Sequence, residues 1–434
     1  MRYEAIDHTL FVTNRQRFMR KMQSDSIAIF HSNDLMPREG SVFYPFRQNS
    51  GLFYLSGLNQ AETVVVLFPD CVKEGFRELA FIKRSNAFNQ IWEGGSLRKQ
   101  DARQISGIQQ IFWLDEMEFI LHELILLAKR IYVNTDEYSY STHELELKNQ
   151  RMTKQLMQRY PAHKYHRAQP ILKKIMMVKQ LPEVKQIQKA IDITGSAFRK
   201  LMPKVKPGIL EYEIEAEITH EFIRQGANGH AYPPIVASGI RTCVLHYSAN
   251  NQHCPDEALL LLDIGAEYAN YAADITRVLP INGRFTPRQR AVYEAVLNVL
   301  KAAQQMLVPG IQLDDYQQEV GRLLEGVLVD LGLLSKKQIA QQNPTYPLYK
   351  KYCMHQISHH LGLGVHDLAN HYDPIMAGMV LTCEPGIYIP EEQIGIRLEN
   401  DILVTDQGPV DLSKDIPIEV EEIEELMQVN ILTS

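Results

Sequence analysis

The chain has 434 residues, 45% hydrophobic and 22% charged, an ordinary globular composition with enough length for two domains. A net charge of −7 and a pI near 6.1 argue against nucleic acid or an anionic membrane as the main partner. The five cysteines (Cys71, Cys243, Cys254, Cys353, Cys383) contain no C-x-x-C, which excludes a disulfide framework and a thiolate zinc site and predicts buried thiols in a reducing cytosol. Met1 to Arg20 lacks the apolar core of a signal peptide, and runs such as Ala258 to Leu262 are too short to span a bilayer. A soluble cytoplasmic protein is expected.

In chain order, residues 1–172 alternate apolar strands, such as Thr63 to Phe68, with helical stretches, such as Glu116 to Arg130, and predict an α/β domain. Prolines and basic residues then interrupt the pattern, with Pro161, Pro170 and Pro182, and a second domain is assigned to 173–434. Its first helix starts at Pro182, a residue favoured at the first helical position, and aligns Val184, Ile187, Ile191, Phe198 and Leu201 on one face. The second domain echoes itself. Lys206-Pro207-Gly208-Ile209 and Val308-Pro309-Gly310-Ile311 each follow a periodic helix, lie 102 residues apart, and precede a glutamate, Glu217 and Glu319 respectively. That spacing is too long for a solenoid and predicts two similar halves facing each other in one domain.

Two hairpins carry the chemistry. Ala258 to Gly265 reads as a buried strand reaching a carboxylate, and Tyr271 to Val278 as its antiparallel partner. A turn centred on Tyr268 and Ala269 places Asp263 directly opposite Asp274, with Cβ atoms about 4.5–5.5 Å apart. Like charges so close in an apolar setting are destabilising unless a cation lies between them. Met379 to Ile389 and Gln393 to Thr405 form the second predicted hairpin, joined by Pro390-Glu391-Glu392, with Glu384 opposite Glu399. Four hard oxygen donors together with an imidazole suit manganese, iron, cobalt or zinc, and the oxygen-rich set leans toward manganese. The imidazole is expected from His355, His359, His360 or His366, four histidines within twelve residues and beside Gly362 and Gly364.

The succession Leu262-Asp263-Ile264-Gly265, Asp274-Ile275-Thr276-Arg277, Ser358-His359, Glu384-Pro385-Gly386 and Arg397-Leu398-Glu399-Asn400 resembles the five-ligand signature of the pita-bread metallopeptidases, which include methionine aminopeptidase, prolidase and aminopeptidase P. In the N-terminal half, Tyr44 to Ser50, Phe53 to Gly57 and Gln90 to Gly95 resemble the N-terminal domain of bacterial aminopeptidase P; read without that resemblance, they are an amphipathic strand and a glycine turn. The interval from Glu384 to Glu399 is shorter than in some relatives, which bears on the pocket rim. The implied fold is an α/β N-terminal domain followed by an α+β pita-bread catalytic domain with two pseudo-symmetric halves.

The resemblance implies an aminopeptidase that removes the first residue of peptides whose second residue is proline. It makes Asp263, Asp274, His359, Glu384 and Glu399 ligands of two divalent metals, with manganese expected and cobalt or zinc as alternatives, and a bridging hydroxide as nucleophile. Glu384 passes protons, while His246 and His366 steady the carbonyl and the tetrahedral intermediate. His355, Arg397, Tyr232 and Tyr388 line the substrate pocket, and Arg397 also supports the carboxylates. Expected partners are such peptides and further copies of the chain, in a homodimer or homotetramer, with neither nucleic acid nor membrane. Trp92 either reaches a neighbouring subunit's site or packs in its own core. The alternative readings are a prolidase restricted to dipeptides, which needs the same ligands, and a metal-free pita-bread binding protein or creatinase-like hydrolase. H-E-x-x-H, G-x-S-x-G and P-loop motifs are absent.

Overall fold

The computed structural model describes residues 2–137 and 145–428. The chain divides into two compact units: Glu4–Met176, and Met177–Ser434 together with Met1–Tyr3.

Runs of β-branched and aromatic residues build the sheet of the first unit. Its strands are β1 (Ser26–His31), β2 (Val64–Leu67), β3 (Glu78–Ile82), β4 (Gln110–Trp113), β5 (Arg130–Val133) and β6 (Lys164–Arg167), in the order β4-β3-β2-β1-β5-β6. β1 pairs antiparallel with β2 and parallel with β5, and Ile27, Ile29, Val66, Phe81 and Ile131 fill the core on one face. The helix expected over Glu116 to Arg130 spans only Met117–Leu127. Ala128 turns to extended backbone, and Arg130 is drawn into the ladder between Ser26 and Lys164, so strand pairing overrides the helical periodicity. The stretch after Arg47, which taken alone reads as a strand, is a capped helix, Ser50–Ser56. Asn49 Oδ1 accepts from the N–H groups of Gly51 (3.1 Å) and Leu52 (3.2 Å) and starts it, and Gly57 at φ 68° ends it.

The second unit contains the same assembly twice. In the first half α1 (Leu181–Leu201), with Pro182 in its first turn and Glu183 accepting from Gln180 N–H at 3.0 Å, buries Ile187, Ile191, Phe198 and Leu201. A turn through Gly208 leads to α2 (Glu211–Arg224), and the strands that follow are β7 (Gly229–His230), β8 (Ile235–Ser238), β9 (Leu259–Ile264), β10 (Ala266–Tyr268), β11 (Tyr271–Ala272) and β12 (Ile275–Pro280). The second half repeats this with α3 (Pro287–Gln305), a turn through Gly310, α4 (Leu313–Asp330), and strands β13 (Val380–Cys383), β14 (Gly386–Ile389), β15 (Ile394–Arg397), β16 (Asn400–Thr405) and β17 (Gly408–Asp411). Each half carries a three-stranded sheet, β8-β9-β12 in the first and β13-β16-β17 in the second. The echoed glutamates have no part in a site: Glu217 pairs with Lys204 and Glu319 with Arg322 at the surface.

The first hairpin corrects the expected register. Asp263 faces Thr276, not Asp274, and the ladder continues through Glu267 opposite Ala272 and Tyr268 opposite Tyr271. The turn therefore centres on Ala269 and Asn270, both left-handed at φ 51° and 65°, as a two-residue hairpin turn demands. A two-residue shift leaves every side chain on its original face, so Asp263 and Asp274 become diagonal rather than direct neighbours. Asp274 lies at the break between β11 and β12, across from Gly265, where a Cβ would stand 1.8 Å from Ala273 O and only glycine fits. In the second hairpin Cys383 faces Asn400 and Gly386 faces Arg397, which brackets Glu384 and Glu399 in one register at the interruption of both strands.

Candidate metal centre

The interrupted hairpins send their carboxylates into a cavity of about 400 Å³. Asp263, Asp274, His359, Glu384 and Glu399 all line it, together with Tyr232, His246, His355, His366, Arg397 and the apolar Pro233, Ile235, Leu245 and Val365. Asp274, His359 and Glu399 each offer a donor atom, all within 4.8 Å of one another. His359 Nε2 stands 3.4 Å from both Asp274 Oδ2 and Glu384 Oε1. Its Nδ1 is 3.2 Å from the carbonyl of His360, which assigns the proton to Nδ1 and leaves the Nε2 lone pair facing the carboxylates.

Charge balance tests whether the cluster fits a metal. Among the described residues that line the cavity, the four carboxylates are opposed by two cationic groups, Arg397, which binds Asp263 Oδ2 at 2.5 Å, and His359. Burial and mutual repulsion push the Asp263 carboxyl up, Glu399 well up, and Glu384 up to about 7. For His359 burial opposes the charged imidazole, but Asp274 and Glu384 outweigh it and raise the pKa to about 9. Tyr232 Oη lies 2.7 Å from both Asp263 Oδ1 and Asp274 Oδ1, and one hydroxyl proton satisfies only one of them. With all four carboxylates ionised, the set stays two charges negative even when His359 is protonated, and the raised carboxyl pKa values reflect burial and that uncompensated charge. Hard oxygen donors, one imidazole lone pair and surplus negative charge fit divalent cations.

A surrounding layer orients the donors. Thr276 Oγ1 donates to Glu399 Oε2 at 2.7 Å, and Thr382 Oγ1 lies 3.3 Å from Glu384 Oε1 while accepting from His359 N–H at 3.0 Å. Buried Asp401 accepts the backbone N–H of Asp274 at 3.1 Å. Arg277 donates to the carbonyl of Glu399 at 2.7 Å. The reading of the sequence missed Thr276, Thr382 and Asp401. Each lies two positions from a carboxylate that lines the cavity, and the two-residue period of a strand was the signal that could have found them.

The four histidines take different places. His355 Nε2 meets Tyr388 Oη at 2.9 Å, and its Nδ1 stands 3.7 Å from Glu384 Oε2; burial and Arg397 pull its pKa down to about 4. His360 turns into the core. His366 lies edge-on to His359, ring centroids 4.4 Å apart, and burial with the His359 charge lowers its pKa to about 4. Tyr388 is corrected as a wall residue: it is fully buried and does not line the cavity. Its hydroxyl sits between Arg397 Nη1 at 2.8 Å and His355, so it braces the wall from behind. Tyr232 does line the cavity, with its hydroxyl directed to the carboxylates.

This fold and donor set define a metallohydrolase of the pita-bread type. Residues 185–406 match the model of metallopeptidase family M24, and 11–132 match the aminopeptidase P N-terminal domain. The chain is 34% identical to the Xaa-Pro aminopeptidase of Escherichia coli, over 96% of this chain and 97% of that one, and 29% identical to human Xaa-Pro aminopeptidase 3, over 98% and 85%. Its structure resembles Pseudomonas aeruginosa aminopeptidase PepP with a TM-score of 0.89 at 31% identity, covering 99% of each chain. It also resembles a zinc-substituted Escherichia coli aminopeptidase P in complex with product, with a TM-score of 0.87 at 32% identity over 98% and 99%. The chain belongs to the aminopeptidase P family of the M24 dinuclear metallopeptidases.

Proposed function

We propose that the cavity is the active site of an Xaa-Pro aminopeptidase, in which Asp263, Asp274, His359, Glu384 and Glu399 hold two divalent metal ions. The observation that carries this reading is the convergence of all five side chains on one cavity, within a chain similar to Xaa-Pro aminopeptidases over nearly its full length. Manganese is the proposed native metal, because oxygen donors outnumber nitrogen four to one. When bound, the metals supply Lewis acidity to the hydrolytic water and the scissile carbonyl.

The chain's own groups do the rest. Glu384, facing His355 with one oxygen and His359 with the other, is placed to take a proton from water and return it to the departing proline nitrogen. His246 and His366, on the cavity wall, hydrogen-bond the carbonyl as charge develops on its oxygen. His355, held by Tyr388, whose hydroxyl in turn accepts from Arg397, forms the side that receives the proline ring. Peptides of the form X-Pro-Y should release X, and X-Ala-Y peptides should not. Cleavage of X-Pro dipeptides alone would make the chain a prolidase instead. Activity should vanish with chelator and return best with manganese among manganese, cobalt and zinc.

Self-association, as a homodimer or homotetramer, is the second part of the proposal. Trp92 is 73% exposed on the helix Ala87–Glu93, beside Phe88 and Ile91 at 66% and 83%, so it does not pack in its own core. Its ring contacts only Phe88 among the described aromatic pairs, at 5.8 Å. Aromatic anchors of this kind suit subunit contacts. Trp92→Ala should yield a smaller particle by light scattering, or raise KM for longer peptides only; unchanged mass and kinetics would count against the contact. A cytoplasmic location is proposed from five free thiols, four of them buried. Among the described residues no helix is long and apolar enough to cross a membrane.

A further inference from the structure

Outside the donor set, the described residues of the second unit include a further buried ion pair. Lys179 Nζ stands 3.1 Å from Asp367 Oδ2, and the two side chains are 1% and 3% exposed. Burying both charges is costly, and apolar residues of the same volume often serve stability as well or better, so stability alone does not account for the pair. Its placement does. Asp367 Oδ1 accepts from Gly364 N–H at 3.2 Å, Asp367 N–H donates to His360 O at 2.9 Å, and Gly362 N–H donates to Gly364 O at 3.1 Å. These bonds close 360–367 into a tight loop, with His359 preceding it and His366 next to Asp367. The loop is packed onto the pair so closely that a Cβ at Gly362 would lie 2.1 Å from Asp367 Oδ2 and 2.9 Å from Lys179 Cε. Lys179 is itself fixed, its N–H donating to Gly378 O at 2.8 Å. Gly362 O in turn accepts Ala272 N–H at 2.9 Å, two residues before Asp274.

We propose that Lys179 and Asp367 are positioning residues for His366: their buried pair locks the 360–367 loop so that the His366 imidazole stands on the cavity wall, edge-on to His359. The inference rests on the reading of His366 as a catalytic group. Neither residue touches the substrate. Asp367 acts through the peptide it shares with His366, and Lys179 acts through Asp367.

The test is a double-mutant cycle on the metal-loaded enzyme, with metal content, folded fraction and both kinetic constants measured for each variant. Asp367→Asn keeps an acceptor for Gly364 N–H but removes the charge that holds Lys179. The double replacement K179M/D367L removes both charges and preserves apolar packing. In the wild-type background each should lower kcat about tenfold to a hundredfold, the scale of a displacement of about 1 Å at a catalytic group, with KM and metal content little changed. In a His366→Ala background the same changes should cost almost nothing more, because the group they position is gone. An equal loss in both backgrounds, or no loss in either, would overturn the proposal. So would failure of both variants to fold or to retain metal, since the pair would then be a stability element. A His366→Ala enzyme as active as wild type would instead refute the catalytic reading of His366 and leave the kinetics of the pair to be judged apart from it.

Discussion

Replacing Asp274 by alanine should remove at least one metal equivalent and lower turnover by about three orders of magnitude or more, since Lewis-acid stabilisation is worth several kcal/mol and each factor of ten about 1.4 kcal/mol. Asp274 is tied in at three points: Oδ1 meets Tyr232 at 2.7 Å, Oδ2 faces His359 Nε2 at 3.4 Å, and its backbone N–H is held by Asp401. The variant also separates charge from scaffold. Removing one of four crowded carboxylates relieves repulsion, so the metal-free variant should unfold no more easily than metal-free wild type. Added metal, by contrast, should raise its melting temperature much less, because stabilisation by a bound ion follows its affinity for the folded state. Elemental analysis and a thermal scan with graded manganese check both statements. Full metal content in an active Asp274→Ala enzyme would remove Asp274 from the ligand set.

The second large effect is expected at His246. It lines the cavity wall beside Leu245, and among the described ion pairs it is His359 and His355, not His246, that reach the carboxylates. His246→Ala should therefore lower kcat by roughly 10²-fold, the scale for losing a positioned hydrogen-bonding group, and leave metal content as in wild type. Parallel loss of metal and activity would make His246 a ligand. The contrast with Asp274→Ala lies in the metal measurement, since both variants are expected to be slow.

Much of the site was legible in the chain because strand chemistry is local. Asp263 ends a run of leucines, Glu384 and Glu399 flank a short turn marked by Pro390, and their register follows from the turn length alone. The first hairpin shows the limit of this reasoning. Its turn places Ala269 at positive φ, a conformation alanine rarely adopts, and Asn270 was the only residue there favouring it. The register was misread by two residues, and the site survived because the strand period is also two. In the N-terminal unit, strand pairing of Arg130 shortened a helix that its own side chains would have continued.

The sequence by itself determined the identity and order of the carboxylates and histidines, the two-fold echo of helix, Pro-Gly turn and helix, and membership in a metallopeptidase family, because each depends on residues near one another in the chain. Tertiary structure alone decided that Tyr388 supports the wall instead of forming it, that Asp401 holds the backbone of Asp274 127 residues away, and that Lys179 meets Asp367. These are contacts between segments remote in the chain. Burial makes them matter, since a charge or a peptide N–H removed from water must find its partner inside the protein, and which partner it finds is set by how the two halves pack.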